Sequence, residues 1–174
     1  MPPRSKPDEM TSAACKSPEE RLLAAGIVLP PLRAPIANFV GGVQEGGLLF
    51  LSGQGPVAAA GKRTGKVGKD VSVDEAYQHA RMAGVNLLTN MRAILGSLNH
   101  VSRIVKVFGM VNAVDHFAAH PSVIDGCSDL FIEVFGANGM HARSAIGVSS
   151  LPGNITVEIE AIVAVHGPYA DKAS

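Results

Sequence analysis

Residues 141–167 read HARSAIGVSSLPGNITVEIEAIVAVHG, and this stretch decides the fold. Two apolar runs with alternating polar positions flank Leu-Pro-Gly-Asn, a sequence typical of a tight turn. The pattern predicts an antiparallel hairpin in which Gly147 lies opposite Glu158 and Ala145 lies opposite Glu160.

Alternation along the two strands gives the predicted hairpin one polar face and one core face. Arg143, Glu158 and Glu160 are expected on the polar face, above the small residues Ala145 and Gly147. An arginine that is free of partners binds a carboxylate through two parallel hydrogen bonds. A neighbouring carboxylate can orient a water molecule or move a proton. The spacing alone leaves open that these are ordinary charges on a solvated or interface sheet face.

The chain upstream of the hairpin divides into strands and helices. Ser-x-x-Glu capping boxes at Ser17 and Ser72 predict a short leading helix and a long helix of about 24 residues. A third helix is expected to begin at Pro121, and strands are expected within residues 40–51 and 104–111. The run 48–51 has no polar alternation, which predicts a strand covered on both faces. The order β-β-α-β-α-β-β favours an α+β fold, a mixed sheet with two helices packed on one face.

Composition limits the classes of function. The chain has 174 residues, which suits one domain, and only 17% are charged. A surface poor in charge, with one sheet face left without helices, predicts self-association. Lys plus Arg equals Asp plus Glu at 15 each, so there is no basic excess to neutralise nucleic-acid phosphates. No apolar run reaches membrane-spanning length, so neither nucleic acid nor membrane is an expected partner.

The organisation along the chain is predicted as four parts. Residues 1–16 form a disordered N-terminal tail, 17–38 the leading helix and a Pro-rich connector, 39–167 the main domain, and 168–174 a C-terminal tail. The two cysteines have neither disulfide nor metal-ligand spacing, and no secretion signal opens the chain. Both features favour a cytoplasmic location.

Three segments resemble the RidA/YjgF family. Ala142-Arg143-Ser144-Ala145-Ile146, Leu151-Pro152 and Val157-Glu158-Ile159-Glu160-Ala161 are similar to its C-terminal signature, and Leu51-Ser52-Gly53-Gln54-Gly55-Pro56 is similar to its S-G-Q-x-P segment. The leading helix and connector resemble a longer-headed subgroup. The resemblance implies a chorismate-mutase-like fold that forms homotrimers with sites in clefts between subunits. It also implies hydrolysis of reactive 2-imino or enamine acids to 2-oxo acids and ammonia, without metal or organic cofactor.

Carried over by position, the resemblance implies a role for each site residue. Arg143 binds the substrate carboxylate, Glu158 positions the attacking water and relays its proton, and the backbone N–H of Ala145 helps to hold the substrate. Three features depart from active relatives. His141 stands where they usually have Pro, within a segment, 135–142, that is one residue longer. Phe39 stands where they have Tyr, and Asp125 where they have Asn. An acid at that position repels a carboxylate substrate unless it is paired or turned away.

Two other functions stay open at this point. A non-catalytic trimer that binds a small carboxylic metabolite or a partner enzyme would keep Arg143 and tolerate Phe39 and Asp125. RNA cleavage, a label that some relatives of the family carry, has little support from a neutral chain without an evident aromatic platform. His116, His120 and His141 lack the further ligands that a metal site needs.

Overall fold

The computed structural model describes residues 16–34, 37–58 and 60–166. The predicted tails, apart from Lys16, lie outside these residues. The helices are α1 (Pro18–Ala24), α2 (Val73–Leu95) and α3 (His120–Phe135). The strands are β1 (Gly42–Glu45), β2 (Leu48–Gln54), β3 (Val57–Ala58), β4 (Gly61–Lys62), β5 (Val101–Asn112), β6 (Ala142–Val148) and β7 (Val157–Val165).

Both predicted capping boxes are present. The Ser17 hydroxyl accepts from the Glu20 N–H at 3.3 Å, and the Glu20 carboxylate accepts from the Ser17 N–H at 2.7 Å. Ser72 and Glu75 make the same reciprocal pair at the start of α2, which fixes where this long helix begins. Helices α2 and α3 pack on each other and on the same face of the sheet. The predicted α+β architecture is therefore confirmed.

The main sheet has the strand order β1-β2-β7-β5-β6. Strand β5 pairs antiparallel with β7 on one side and parallel with β6 on the other, so the predicted β6–β7 hairpin is wrong. The two strands are not joined by a tight turn. Residues 149–156 connect them. Strand β5 lies between them and pairs with one of them along each of its edges. Because β6 follows α3, it can lie parallel to β5 through a helical crossover.

Insertion of β5 moves Arg143 to the other side of the sheet. Val107 lies between Arg143 and Ala161 in register, whereas Met110 separates Ile146 from Glu158. Since in-register neighbours share a face, Arg143 is on the helical face and Glu158 on the open face. The expectation that the two share one face is wrong, because a one-residue change in register reverses every side chain of a strand.

The open face of the sheet exposes several large apolar residues and is uncovered in a single copy. Leu49 and Leu51 are buried under the helices, but Leu48 and Phe50 are 36% and 43% exposed. The prediction that this strand is covered on both faces is therefore wrong for one chain. Val43 and Ile146, on the edge strands, are also exposed large hydrophobic residues. Among the described residues, no helix has the length and apolarity needed to cross a membrane.

Candidate active site

Glu158 lies on the open face of β7 and is packed against Gly53. Gly53 falls within the register shift between Leu51 and Gln54 of β2, and a Cβ at this glycine would overlap the Glu158 carboxylate. The absence of a side chain therefore lets the carboxylate lie directly on the backbone of β2. Burial raises the pKa of Glu158, and the negative charge of Glu160 adds to the shift. A half-buried carboxylate with a raised pKa is suited to accept and return a proton.

Phe39 lies on the same side of the molecule as Gly53. Both residues line a cavity of about 210 Å³ between the start of β1, the end of β2 and helix α2. The segment that carries Phe39 is held to β2, since the Ser52 hydroxyl donates to the Val40 carbonyl at 2.6 Å. The aromatic ring is half exposed. Gly53 therefore contacts Glu158 and also lines the cavity with Phe39, and we call these three residues the acid half-site.

Arg143 projects from β6 toward helix α3. Its Nη1 donates to the Asp125 carboxylate at 2.7 Å and to the Ser128 hydroxyl at 2.9 Å. The Arg143 side chain is 22% exposed and that of Asp125 46%, so the pair is reachable from solvent. The expectation of an unpaired Arg143 is wrong. Asp125 is paired, which is one of the two conditions under which an acid at this position does not repel a carboxylate substrate.

His141 extends the contacts of Arg143. Its Nδ1 lies 2.6 Å from the Gly139 carbonyl, which can only accept, so we assign the proton to Nδ1. The Nε2 atom then accepts from the Ser128 hydroxyl at 3.0 Å, and this leaves the lone pairs of Ser128 for Arg143. Burial lowers the pKa of His141, and the nearby Arg143 charge lowers it further. We call Arg143, Asp125, Ser128 and His141 the arginine half-site.

Ala145 stands two residues beyond Arg143 on β6. It faces the helices, in register with Gly109 and Ile159, and its side chain is packed against the core. Because β6 is an edge strand, alternate backbone groups have no strand partner and are open to a ligand or a second copy. The role of the Ala145 N–H stays a prediction.

One chain does not bring Arg143 and Glu158 together. They are two strands apart and three positions apart along β5, which corresponds to about 14 Å between backbones. Their side chains also leave opposite faces of the sheet. A site that uses both residues on one small substrate therefore requires two copies of the chain.

Sequence reasoning missed Ser128 and Gly53 as site residues. Ser128 lies three positions after Asp125 on α3, a spacing that places both on one helical face and was therefore readable. Gly53 gave a weaker signal, since a glycine in a strand only suggests close approach by an unspecified group. Within residues 16–34, 37–58 and 60–166, no cluster of three His, Cys, Asp or Glu residues could hold a metal ion.

Replacing Asp125 by Asn is expected to tighten the binding of a small carboxylate. The substitution removes a carboxylate that competes for the Arg143 guanidinium and repels an incoming anion. For a partly exposed pair, we expect the Kd of 2-oxobutanoate to fall roughly 3- to 10-fold, measured by calorimetry.

Asp129→Asn is the matched control for this prediction. Asp129 is on the same helix, but its carboxylate accepts from the Tyr77 hydroxyl at 2.8 Å. This control should leave the Kd unchanged. Weaker binding by Asp125→Asn would contradict the prediction and would mean that Asp125 chiefly holds Arg143 in its binding position.

Comparison with known proteins connects this geometry to a family. Residues 19–163 match the family model described as "YjgF/chorismate_mutase-like, putative endoribonuclease". Protein TCP17 of Trypanosoma cruzi is 39% identical over 143 residues, covering 81% of this chain and 89% of that protein. A 2-iminobutanoate/2-iminopropanoate deaminase of Dermatophagoides farinae is 33% identical over 142 residues, covering 80% and 96%.

Solved structures give the same fold. A crystal structure from Shewanella oneidensis MR-1, described as a "putative endoribonuclease", superposes with a TM-score of 0.82 at 32% identity. The match covers 86% of this chain and 100% of the other. The relatives therefore share the architecture and carry two different functional descriptions.

Proposed function

The chain belongs to the RidA/YjgF family, and we propose that it hydrolyses reactive 2-imino or enamine acids to 2-oxo acids and ammonia. The observation that carries the proposal is Glu158, whose half-buried carboxylate has a raised pKa and lies against Gly53, a residue that lines a cavity on its other side. The deaminase description of the Dermatophagoides farinae relative supports the same reaction class.

The reaction needs one clamp and one proton relay. Arg143 binds the substrate carboxylate through its Nε and Nη2 N–H groups, since Arg has five N–H donors and the contacts with Asp125 and Ser128 both use Nη1. Glu158 takes a proton from the attacking water while the oxygen of that water bonds to the imine carbon. Return of protons to nitrogen and loss of the C–N bond release ammonia and leave the 2-oxo acid. The imine carbon is already electrophilic, so positioning supplies much of the rate.

We further propose that the working form is a homotrimer whose sites lie between subunits. The uncovered apolar face of the sheet supports association, because exposed residues such as Phe50 and Ile146 gain burial there. Association also allows the arginine half-site of one copy to meet the acid half-site of the next. The predicted cytoplasmic location remains part of this proposal.

A non-catalytic carboxylate binder is the alternative that a specific contact favours. The 2.7 Å bond between Arg143 and Asp125 gives the arginine an internal partner, which a binding protein tolerates more easily than a fast enzyme. The deciding experiment is the ammonia-linked decay of freshly generated 2-iminopropanoate and 2-iminobutanoate. Acceleration proportional to protein concentration supports the enzyme. Measurable 2-oxo acid binding without acceleration supports the binder.

The pH dependence of turnover should report on Glu158. A base must be ionised, so kcat/KM falls as the pH drops through the raised pKa of this carboxyl. Glu160→Gln removes the neighbouring negative charge and lowers the pKa of Glu158. The acid limb of the kcat/KM profile should therefore move to lower pH, with the plateau retained. An acid limb that does not move would mean that Glu160 does not act on the catalytic base.

A further inference from the structure

We propose that the cavity beside Gly53 binds a second carboxylate, carried at the end of the substrate side chain. The preferred substrates are then 2-imino acids of dicarboxylic amino acids. This inference rests on the proposed function and assigns its substrate class. It rests on the charge of the cavity walls, the fixed polar groups within it, and the segments that carry its two cations.

The cavity has a positive lining. Of the described residues that line it, two are cations and none is acidic. They are Pro31, Arg33, Ala34, Phe39, Gly41, Gly53, Gln54, Gly55, Val57, Lys62, Asn86, Thr89 and Asn90. A concave site that is lined by positive charges attracts anions. Its volume of about 210 Å³ equals roughly seven liquid waters at about 30 Å³ each, which suits a short carboxylate arm.

The amide side chains of the cavity are already used to hold its walls. The Asn86 amide donates to the Gly55 and Val57 carbonyls at 2.9 and 3.1 Å. Asn90 donates to the Asn86 carbonyl at 2.9 Å, and Gln54 donates to the Ser52 carbonyl at 3.3 Å. The ammonium and guanidinium groups are the charged donors that the cavity offers to a ligand.

Arg33 reaches the cavity because the leading segment is docked on the domain. Leu22 of α1 is buried, and the Glu19 carboxylate accepts from the Leu98 N–H at 2.9 Å. Leu29 packs against the core, and the following prolines restrict the backbone of the connector. This restriction lowers the entropy lost when the arginine binds an anion. The connector is thus part of the substrate-binding surface.

Lys62 approaches from the opposite segment, the β3–β4 hairpin. Its Nζ lies 3.2 Å from the position that a Cβ on Gly153 would take, next to the turn before β7. Strand β7 carries Glu158, whose carboxylate lies on Gly53 in the cavity wall. An acid arm held by Arg33 and Lys62 would therefore be separated from the catalytic carboxylate by one residue, Gly53.

The test compares two imines and three variants. Wild type should have a higher kcat/KM for the imine of glutamate than for 2-iminopropanoate. Arg33→Gln should lower the glutamate-imine value roughly 10- to 100-fold, because it removes a charge-assisted hydrogen bond, and leave 2-iminopropanoate within about twofold. Lys62→Gln should act in the same direction. Lys69→Gln, an exposed lysine that does not line the cavity, should change neither value.

Equal losses on both imines in Arg33→Gln, or no preference in wild type, would overturn the inference while leaving the deaminase proposal intact. Calorimetry with 2-oxoglutarate and 2-oxobutanoate separates the two questions. Tighter 2-oxoglutarate binding that Arg33→Gln abolishes would support the cavity even if neither imine is hydrolysed, which would defeat only the proposed reaction. Equal affinity for both 2-oxo acids would reject the second carboxylate site.

Discussion

Glu158→Gln is expected to lower kcat for 2-iminobutanoate hydrolysis roughly 10²- to 10⁴-fold, the usual effect of losing a general base. Gln has the same size and keeps hydrogen-bonding groups against Gly53, but its amide cannot take a proton from water. Because the substrate carboxylate is held elsewhere, KM should change little. Initial rates of ammonia release, measured on the pH plateau, check the prediction.

Glu160→Gln is the matched control, since both carboxylates belong to β7 and point from its open face. It should keep most of kcat at the plateau. A Glu158→Gln protein that retains full turnover would reject the assigned base, and loss of turnover only in Glu160→Gln would transfer the role to that residue. Circular dichroism and sedimentation of each variant distinguish loss of chemistry from loss of fold or assembly.

The helices were readable because their signals are local. Ser17 with Glu20 and Ser72 with Glu75 form reciprocal hydrogen bonds within four residues, so no tertiary knowledge was needed. Strand alternation likewise placed Glu158 and Glu160 together on the face of β7 that points away from the core.

The pairing of strands β6 and β7 could not be predicted from their own sequence, because it is decided by β5, which is distant along the chain. Strand β5 is separated from β6 and β7 by at least a helix, and nothing between residues 141 and 167 indicates that it lies between them. The assumed hairpin placed Arg143 and Glu158 on one face. Their true separation follows from the register of each strand with β5, a non-local contact.

The sequence predicted only one part of the pairing between Arg143 and Asp125. The sequence required that an acid at 125 be paired or turned away, and the contact with Arg143 satisfies this requirement. Its partner was hidden because the arginine was expected on the opposite face of the sheet. The cavity residues Arg33 and Lys62 were hidden for a similar reason, as they come from a connector and a small hairpin that meet only in the fold.

Because Arg143 and Glu158 lie on opposite faces of the sheet, a mixture of two inactive variants tests whether the site is shared between subunits. If each site takes Arg143 from one copy and Glu158 from the next, then Arg143→Ala and Glu158→Gln proteins should each be nearly inactive but should complement each other. In randomly mixed oligomers of equal amounts, half of the arginines and half of the glutamates are intact. About one quarter of all sites then contain both. Trimers of a single variant contain no complete site, so isolated trimers that contain both variants have one complete site of three and should regain about one third of wild-type activity.

Complementation requires that subunits exchange, so the two variants are co-expressed with different affinity tags and doubly tagged oligomers are isolated. The double variant, mixed with wild type in the same way, controls for dilution, because it supplies neither residue. Recovery in the mixed oligomers with no recovery between separately purified, non-exchanging proteins would assign the two half-sites to different copies. Inactive mixed oligomers would contradict a shared site, because active sites built within single chains cannot be rescued by a partner that lacks the other residue.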